Sequence, residues 1–181
     1  MFVMYVNDKI SLQLLEPQHA QALFQVVERE RNYLRQWLGW LDNTKNSQTQ
    51  ALFLSVELKK FAEGKALTTG ILYEGELCGV ASINSYNPIT KTATLGYWLS
   101  ESSTGKGIIT DVVRALVNYC FFERGMEAVE IHAAVGNIKS RAVAERLGFA
   151  LQGTVSNAEN LYGRWVDHVV YQMTRTAYNH G

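Results

Sequence analysis

The chain has 181 residues, 47% of them hydrophobic, which is enough to bury one core of ordinary domain size. Its 17 Lys and Arg balance its 17 Asp and Glu, so no global charge points to nucleic acid, although a local basic patch is compatible with this balance. Cys78 and Cys120 are the only cysteines, too few for a disulfide framework or a zinc site; no metal is expected, and reduced cytosolic thiols are the default.

Ile10, Leu12 and Leu14 alternate with Ser11 and Gln13, which predicts a first strand. Glu16-Pro17 then opens a long helix, with room for a break, that carries Ala22, Leu23, Val26, Val27, Leu34 and Trp37 at helical spacing and stops near Gly39. Ser47 is placed to cap a second helix with Ala51, Leu54, Leu58 and Phe61 on one face, ending at Gly64. Strands are predicted at Ala66 to Tyr73, Glu76 to Asn84 and Thr92 to Leu99. Glu74-Gly75 and Ser85-Tyr86-Asn87-Pro88 separate them as turns of an antiparallel meander.

From Ile108 to Arg124, Ile109, Val112, Val113, Leu116 and Cys120 recur at helical spacing, with Asp111, Arg114 and Asn118 on the opposite face. Gly125 ends this helix. Val129, Ile131, Ala133 and Val135 then alternate with Glu130, His132 and Ala134, giving a strand parallel to the one before the helix. A further helix runs from the Asn137 turn to Leu147 with Gly148 as a left-handed cap, and two last strands lie near Ala150 to Val155 and Val166 to Thr176. Internal repeats and an evident linker are absent, so residues 1–181 read as a single domain. No apolar run reaches membrane-spanning length, and the start Met1-Phe2-Val3-Met4-Tyr5 lacks the basic residues and long apolar core of a signal peptide. A cytoplasmic protein without membrane partners is expected.

Two short segments carry the chemistry. The run from Leu95 to Ile109 is a strand entering a glycine turn, Gly105-Lys106-Gly107, that opens a helix. The first N–H groups of a helix lack intrahelical partners and lie at the positive end of its dipole, so such a turn presents amides to an anion; a purely structural turn is the competing reading. A Walker loop needs Gly, four residues and Gly-Lys-Ser/Thr, a string the chain does not contain. A dinucleotide fingerprint needs a third glycine where Thr110 stands, and Glu130 falls inside a strand rather than at its end. The second segment is Asn137-x-x-Ser140 followed by Leu147-Gly148-Phe149.

Together these segments resemble the GNAT superfamily of acyl-CoA-dependent N-acyltransferases. Its pyrophosphate loop has the form Arg/Gln-x-x-Gly-x-Gly/Ala, here with Ser102 in the leading place and with Gly105 and Gly107 matching. The strings Leu95 to Leu99, Gly107-Ile108-Ile109 and Tyr33 to Leu38 are similar to the RimL-type branch, which includes enzymes that acetylate the N-terminal serine of a ribosomal protein. The resemblance implies a mixed α/β fold: an antiparallel meander, a β-α-β-α unit and C-terminal strands. It implies acetyl-CoA as cosubstrate, held by Tyr97, Trp98 and Leu99 along the strand, by Thr104, Gly105, Lys106, Gly107 and Ile108 at the pyrophosphate, and by Asn137 and Ser140 at the pantetheine arm. It also makes a homodimer plausible.

In this family a free amine attacks the thioester directly. Many members carry a tyrosine as sulfur proton donor where this chain has Ala144, and a glutamate base where it has Thr94. The resemblance implies Ser140 as the acid, with helix capping as its alternative, and Glu159 as the base, with a solvated loop carboxylate as its alternative. Glu101 matches as an acceptor-site residue or a loop brace. Asp167 and His168 could brace the site or pair across the sheet. Tyr33, Trp37 and Trp40 could line a peptide groove or belong to the core.

An α-amine with a pKa of about 7.7 to 8.0 is roughly a third neutral at pH 7.5, whereas lysine is only about 0.1% neutral. A weak or remote base therefore favours an N-terminal amine of a protein or peptide. A small amine, such as a polyamine or an aminoglycoside, and a non-catalytic acyl-CoA sensor are the alternatives.

Overall fold

A computed structural model describes residues 2–179. In chain order it contains β1 (Val3–Tyr5), β2 (Ile10–Leu14), α1 (Ala20–Arg29), α2 (Arg31–Leu34), α3 (Ser47–Ala62), β3 (Leu67–Tyr73), β4 (Glu76–Asn87) and β5 (Thr92–Leu99). These are followed by α4 (Ile108–Asn118), β6 (Ala128–Ala134), α5 (Ile138–Arg146), β7 (Ala150–Leu161), β8 (Arg164–Thr174) and α6 (Arg175–Asn179). The eight strands form one sheet in the order β1-β2-β3-β4-β5-β6-β8-β7. Neighbours from β1 to β5 are antiparallel, β5 and β6 are parallel, and β6, β8 and β7 are again antiparallel. The mixed α/β fold read from the sequence is therefore present.

The sheet has two faces of different character. On one, Ile71, Ala81, Leu95, Ile131 and Tyr171 pack with Val112, Val113 and Leu116 of α4 and Val143 and Ala144 of α5, forming the main core. Each fully buried aliphatic side chain there contributes about 1.5–3 kcal/mol. On the other face, Leu77, Val80 and Trp98 meet α1, α2 and α3 through Leu23, Leu54, Val27 and Leu34. Alternation along each strand places Glu130, His132, His168, Val170 and Gln172 on this second face, beyond the reach of those helices.

Several elements differ from the sequence expectation, each for a local reason. The long first helix is divided: a 3-10 turn at Pro17–His19 precedes α1, and Glu30, at φ −101° and ψ 8°, breaks α1 from α2. Asn46 rather than Ser47 caps α3, because its side-chain oxygen accepts the Thr49 N–H at 2.9 Å. The helix from Ile108 is α only to Asn118 and then widens into a π turn, Tyr119–Glu123, in which the Arg124 N–H bonds to the Tyr119 carbonyl. Val135 lies beyond the end of β6 and is exposed, while Ala134 is buried. β1 was not expected, and β7 continues to Leu161 past a bulge between Val155 and Glu159. The Glu74-Gly75 turn does have the left-handed pair, φ 51° and 85°, that a two-residue hairpin requires.

Candidate active site

β5 and β6 pair only from Thr92 with Ala128 to Leu95 with Ile131, after which they separate. Gly96 to Leu99 remain bonded to β4, and His132 to Ala134 to β8, so the two strands leave a V-shaped opening with unpaired backbone on both walls. Such an opening in the middle of a sheet accepts an extended polar ligand by strand-like hydrogen bonding.

The glycine turn lies where β5 ends. Ser100 Oγ donates to Ser103 Oγ at 3.0 Å, and Thr104 Oγ1 donates to the Glu101 carbonyl at 2.6 Å. The buried Glu30 carboxylate accepts the Glu101 N–H at 3.2 Å and fixes the turn from the break between α1 and α2, a role with no signal in the local sequence. Gly105 and Gly107 have φ of 80° and 75°, a conformation glycine adopts without strain, and the space beside both Cα atoms is open. The backbone N–H groups from Gly105 to Thr110 find no acceptor among the described residues. They form an open cradle at the N-terminus of α4, with the shape and polarity for a phosphate or pyrophosphate. Ile108 contributes only its backbone, since its side chain is core, and Lys106 bends back to within 5.0 Å of the Tyr73 ring. Arg146, at the end of α5, donates to Thr110 Oγ1 at 2.6 Å and adds a positive charge to the cradle. Only the tertiary fold brings Arg146 to Thr110.

Across the V, α5 is fixed by Arg141, which bonds the Val135 carbonyl at 2.8 Å and the Tyr171 hydroxyl at 3.0 Å. Asn137 is its N-cap, accepting the Ser140 N–H at 3.4 Å. Ser140 stands inside the first turn, and its Oγ donates to the Tyr97 hydroxyl at 3.3 Å, while Tyr97 donates to the Ser140 carbonyl at 3.0 Å. Burial pushes the Tyr97 phenol up to about 12, against a smaller lowering by Ser140. Ala144 is fully buried, so the hydroxyl beside α5 comes instead from β5.

The remaining candidate residues occupy other walls. Trp98 points away from Tyr97, to the opposite sheet face, with its ring 6.3 Å from Trp40, and Leu99 is buried. Trp37 lies against Gly136 and has the Arg164 guanidinium 5.4 Å from its ring; Lys139 lies 5.6 Å from the Tyr33 ring. Tyr33, Trp37 and Trp40 are half-buried and carry the α2 segment over the end of β6. Tyr162 locks this segment to the β7–β8 turn by donating to the Leu38 carbonyl at 2.6 Å and accepting the Leu41 N–H at 3.0 Å. Arg35 stacks 3.7 Å from the Tyr162 ring and pairs with Asp42. Glu159 follows the β7 bulge, half-buried and opposite Val166; Asp167 braces that bulge by accepting the Asn157 N–H at 2.8 Å. Glu101 is exposed at the start of the glycine turn. Asn84, the extra residue of a bulge in β4, lies over Gly96 and was not anticipated. No cluster of His, Cys, Asp or Glu among the described residues could hold a metal ion.

Residues 9–150 match the family described as Acetyltransferase (GNAT) domain. The chain belongs to the GNAT acetyltransferases. YdaF of Bacillus subtilis (strain 168) is 35% identical over 176 residues, 97% of this chain and 96% of that protein. The Ribosomal-protein-serine acetyltransferase of Escherichia coli (strain K12) is 31% identical over 171 residues, 90% of this chain and 96% of its own length. The solved structure of RimL, a ribosomal L7/L12 alpha-N-protein acetyltransferase in complex with coenzyme A, has a TM-score of 0.93 at 30% identity, covering 97% of this chain and 99% of that one. This GNAT chain is an acetyltransferase that uses acetyl-CoA, and its free amide cradle and splayed strands fit such a molecule. No helix among the described residues is long and apolar enough to cross a membrane.

Proposed function

We propose that the enzyme acetylates the N-terminal α-amine of a protein, with a ribosomal-protein serine as its acceptor. The observation that carries this reading is the near-complete coverage of both chains in the likeness to RimL. The half-buried aromatic wall of Tyr33, Trp37 and Trp40 supports it, being suited to an extended peptide end. Acetyl-CoA supplies the activated acetyl group. Gly105 to Ile108 and Thr104 hold its pyrophosphate, while the backbone from Tyr97 to Leu99 and the Asn137 side chain hold the pantetheine arm.

An α-ammonium loses two protons in becoming an amide. The C–N bond forms, the C–S bond breaks, one proton ends on sulfur and one reaches solvent. Ser140 gives the sulfur its proton and regains one from solvent, and Tyr97, already bonded to Ser140, holds that hydroxyl in place. Glu159 attracts the ammonium and takes the proton shed before attack; Glu101 flanks the acceptor entrance. Residues 1–181 act as one domain in the cytoplasm, and pairing into a homodimer is tested by sedimentation.

Thiol release from acetyl-CoA is measured across serine-starting peptides, other peptides, polyamines and aminoglycosides, with mass spectrometry of the products. Modification of peptide α-amines is expected. Turnover confined to small amines overturns the acceptor assignment, and tight coenzyme binding without turnover of any acceptor identifies a sensor. Ser140→Ala is expected to lower turnover about a hundredfold with little change in coenzyme affinity; equal activity rejects its acid role.

A further inference from the structure

We propose that His132 is a catalytic base of this site, positioned by Glu130, and that it takes the proton shed as the new C–N bond forms. The proposal rests on the amine-acetylating reading above. His132 is the first residue of β6 beyond its pairing with β5, so it stands at the apex of the V. Its Nε2 lies 2.9 Å from Glu130 Oε2, and Gln172 donates to the other oxygen of Glu130 at 3.3 Å. This Gln-Glu-His arrangement holds Nε2 against the carboxylate and turns Nδ1 away from it, toward the opening. The side chain is 37% exposed, so solvent can carry the proton away.

The register explains why the base comes from β6. Thr94 pairs with Glu130 across the parallel ladder, so a carboxylate absent from β5 is supplied from the adjoining strand on the same face. That face also holds Trp98, which meets Trp40 of the acceptor wall. Gly96, just past the last paired residue of β5, has no side chain of its own, and the uncharged Asn84 side chain of β4 lies over it on this face. The groups on this face around His132 are Glu130 from its own strand, Gln172 and His168 from β8, Glu159 from β7, and the uncharged Thr94 and Gly96 from β5. Glu159 serves the ammonium before attack, and His132 serves the nitrogen as it bonds to carbon. Two protons thus leave nitrogen, Ser140 returns one to sulfur, and the net release is one.

The test is the pH profile of kcat/KM for wild type, His132→Gln and Glu130→Gln, run on whichever amine acceptor the wild type acetylates. An error in acceptor class therefore leaves the comparison intact. His132→Gln is expected to lose about a hundredfold at pH 7 with coenzyme A affinity unchanged. The acidic limb of its profile should be shallower than the wild type's by one proton, and added imidazole should restore turnover to His132→Gly. Glu130→Gln should lower kcat about tenfold with acceptor KM and coenzyme affinity unchanged, because the imidazole loses the carboxylate that orients it. Rates within twofold of wild type and an identical acidic limb in His132→Gln overturn the proposal, as does an absence of imidazole rescue.

Discussion

Tyr97 and Ser140 share one contact with two consequences that can be measured apart. Tyr97→Phe removes the hydroxyl that holds Ser140 and is expected to slow turnover about tenfold while coenzyme affinity stays within a few-fold; an unchanged kcat contradicts the positioning role. The same phenol is held near 12 by burial, whereas an unfolded tyrosine titrates near 10. The folded chain therefore keeps a proton that the unfolded chain releases, so this contribution to stability is intact below about pH 10 and is lost as pH rises toward 12. Cys120, also raised to about 12 by burial, acts in the same direction. Denaturant titrations from pH 9 to 11 should show falling stability, with a shallower fall in Tyr97→Phe. At Gly107 the requirement is left-handed backbone beside open space. Gly107→Trp should fill the cradle and weaken coenzyme A by at least about tenfold, read by calorimetry; unchanged affinity would remove the cradle from the site.

At the scale of elements, the proposed acceptor wall depends on how the α2 segment is docked. Tyr162→Phe leaves the Leu38 carbonyl and the Leu41 N–H without their shared partner, a loss of about 1–3 kcal/mol in local stability. Hydrogen exchange across residues 35–44 should quicken and KM for the acceptor should rise, while coenzyme affinity holds. The strands and helices that bury one face were legible because their apolar spacing is strong: β2 and β5 fall where the pattern puts them, and α4 begins where it does. β1 was not, since three residues on a sheet edge carry no alternation long enough to read. The end of β7 was hidden by Ser156-Asn157, which look like a turn and form a bulge instead. The glycine cradle and Asn137 could be placed from local sequence. Contacts between distant residues could not: Tyr97 with Ser140, Glu30 with Glu101, Arg146 with Thr110, and the shared face of Thr94 and Glu130 all depend on strand register or helix docking.

The two faces of the sheet differ in how fully they are covered. The main core ties the meander to α4 and α5, whereas the second face beyond α1 to α3 and the β7–β8 hairpin leave the proposed acceptor side accessible. A coenzyme that binds the folded form alone should stabilise it by about 2.7 kcal/mol at a hundred times its Kd, raising Tm by roughly 5–10 °C for a chain of this size. Gly107→Trp should abolish most of that shift. The V between β5 and β6 is proposed to deliver acetyl from acetyl-CoA to a peptide α-amine. Its most direct test presents a serine-starting peptide with an internal lysine, and the same peptide with its N-terminus blocked, and locates the acetyl group by fragmentation mass spectrometry. The first peptide is expected to gain acetyl at its α-amine and the blocked one to gain none. Acetylation of the lysine, or equal consumption of both peptides, would overturn the α-amine assignment.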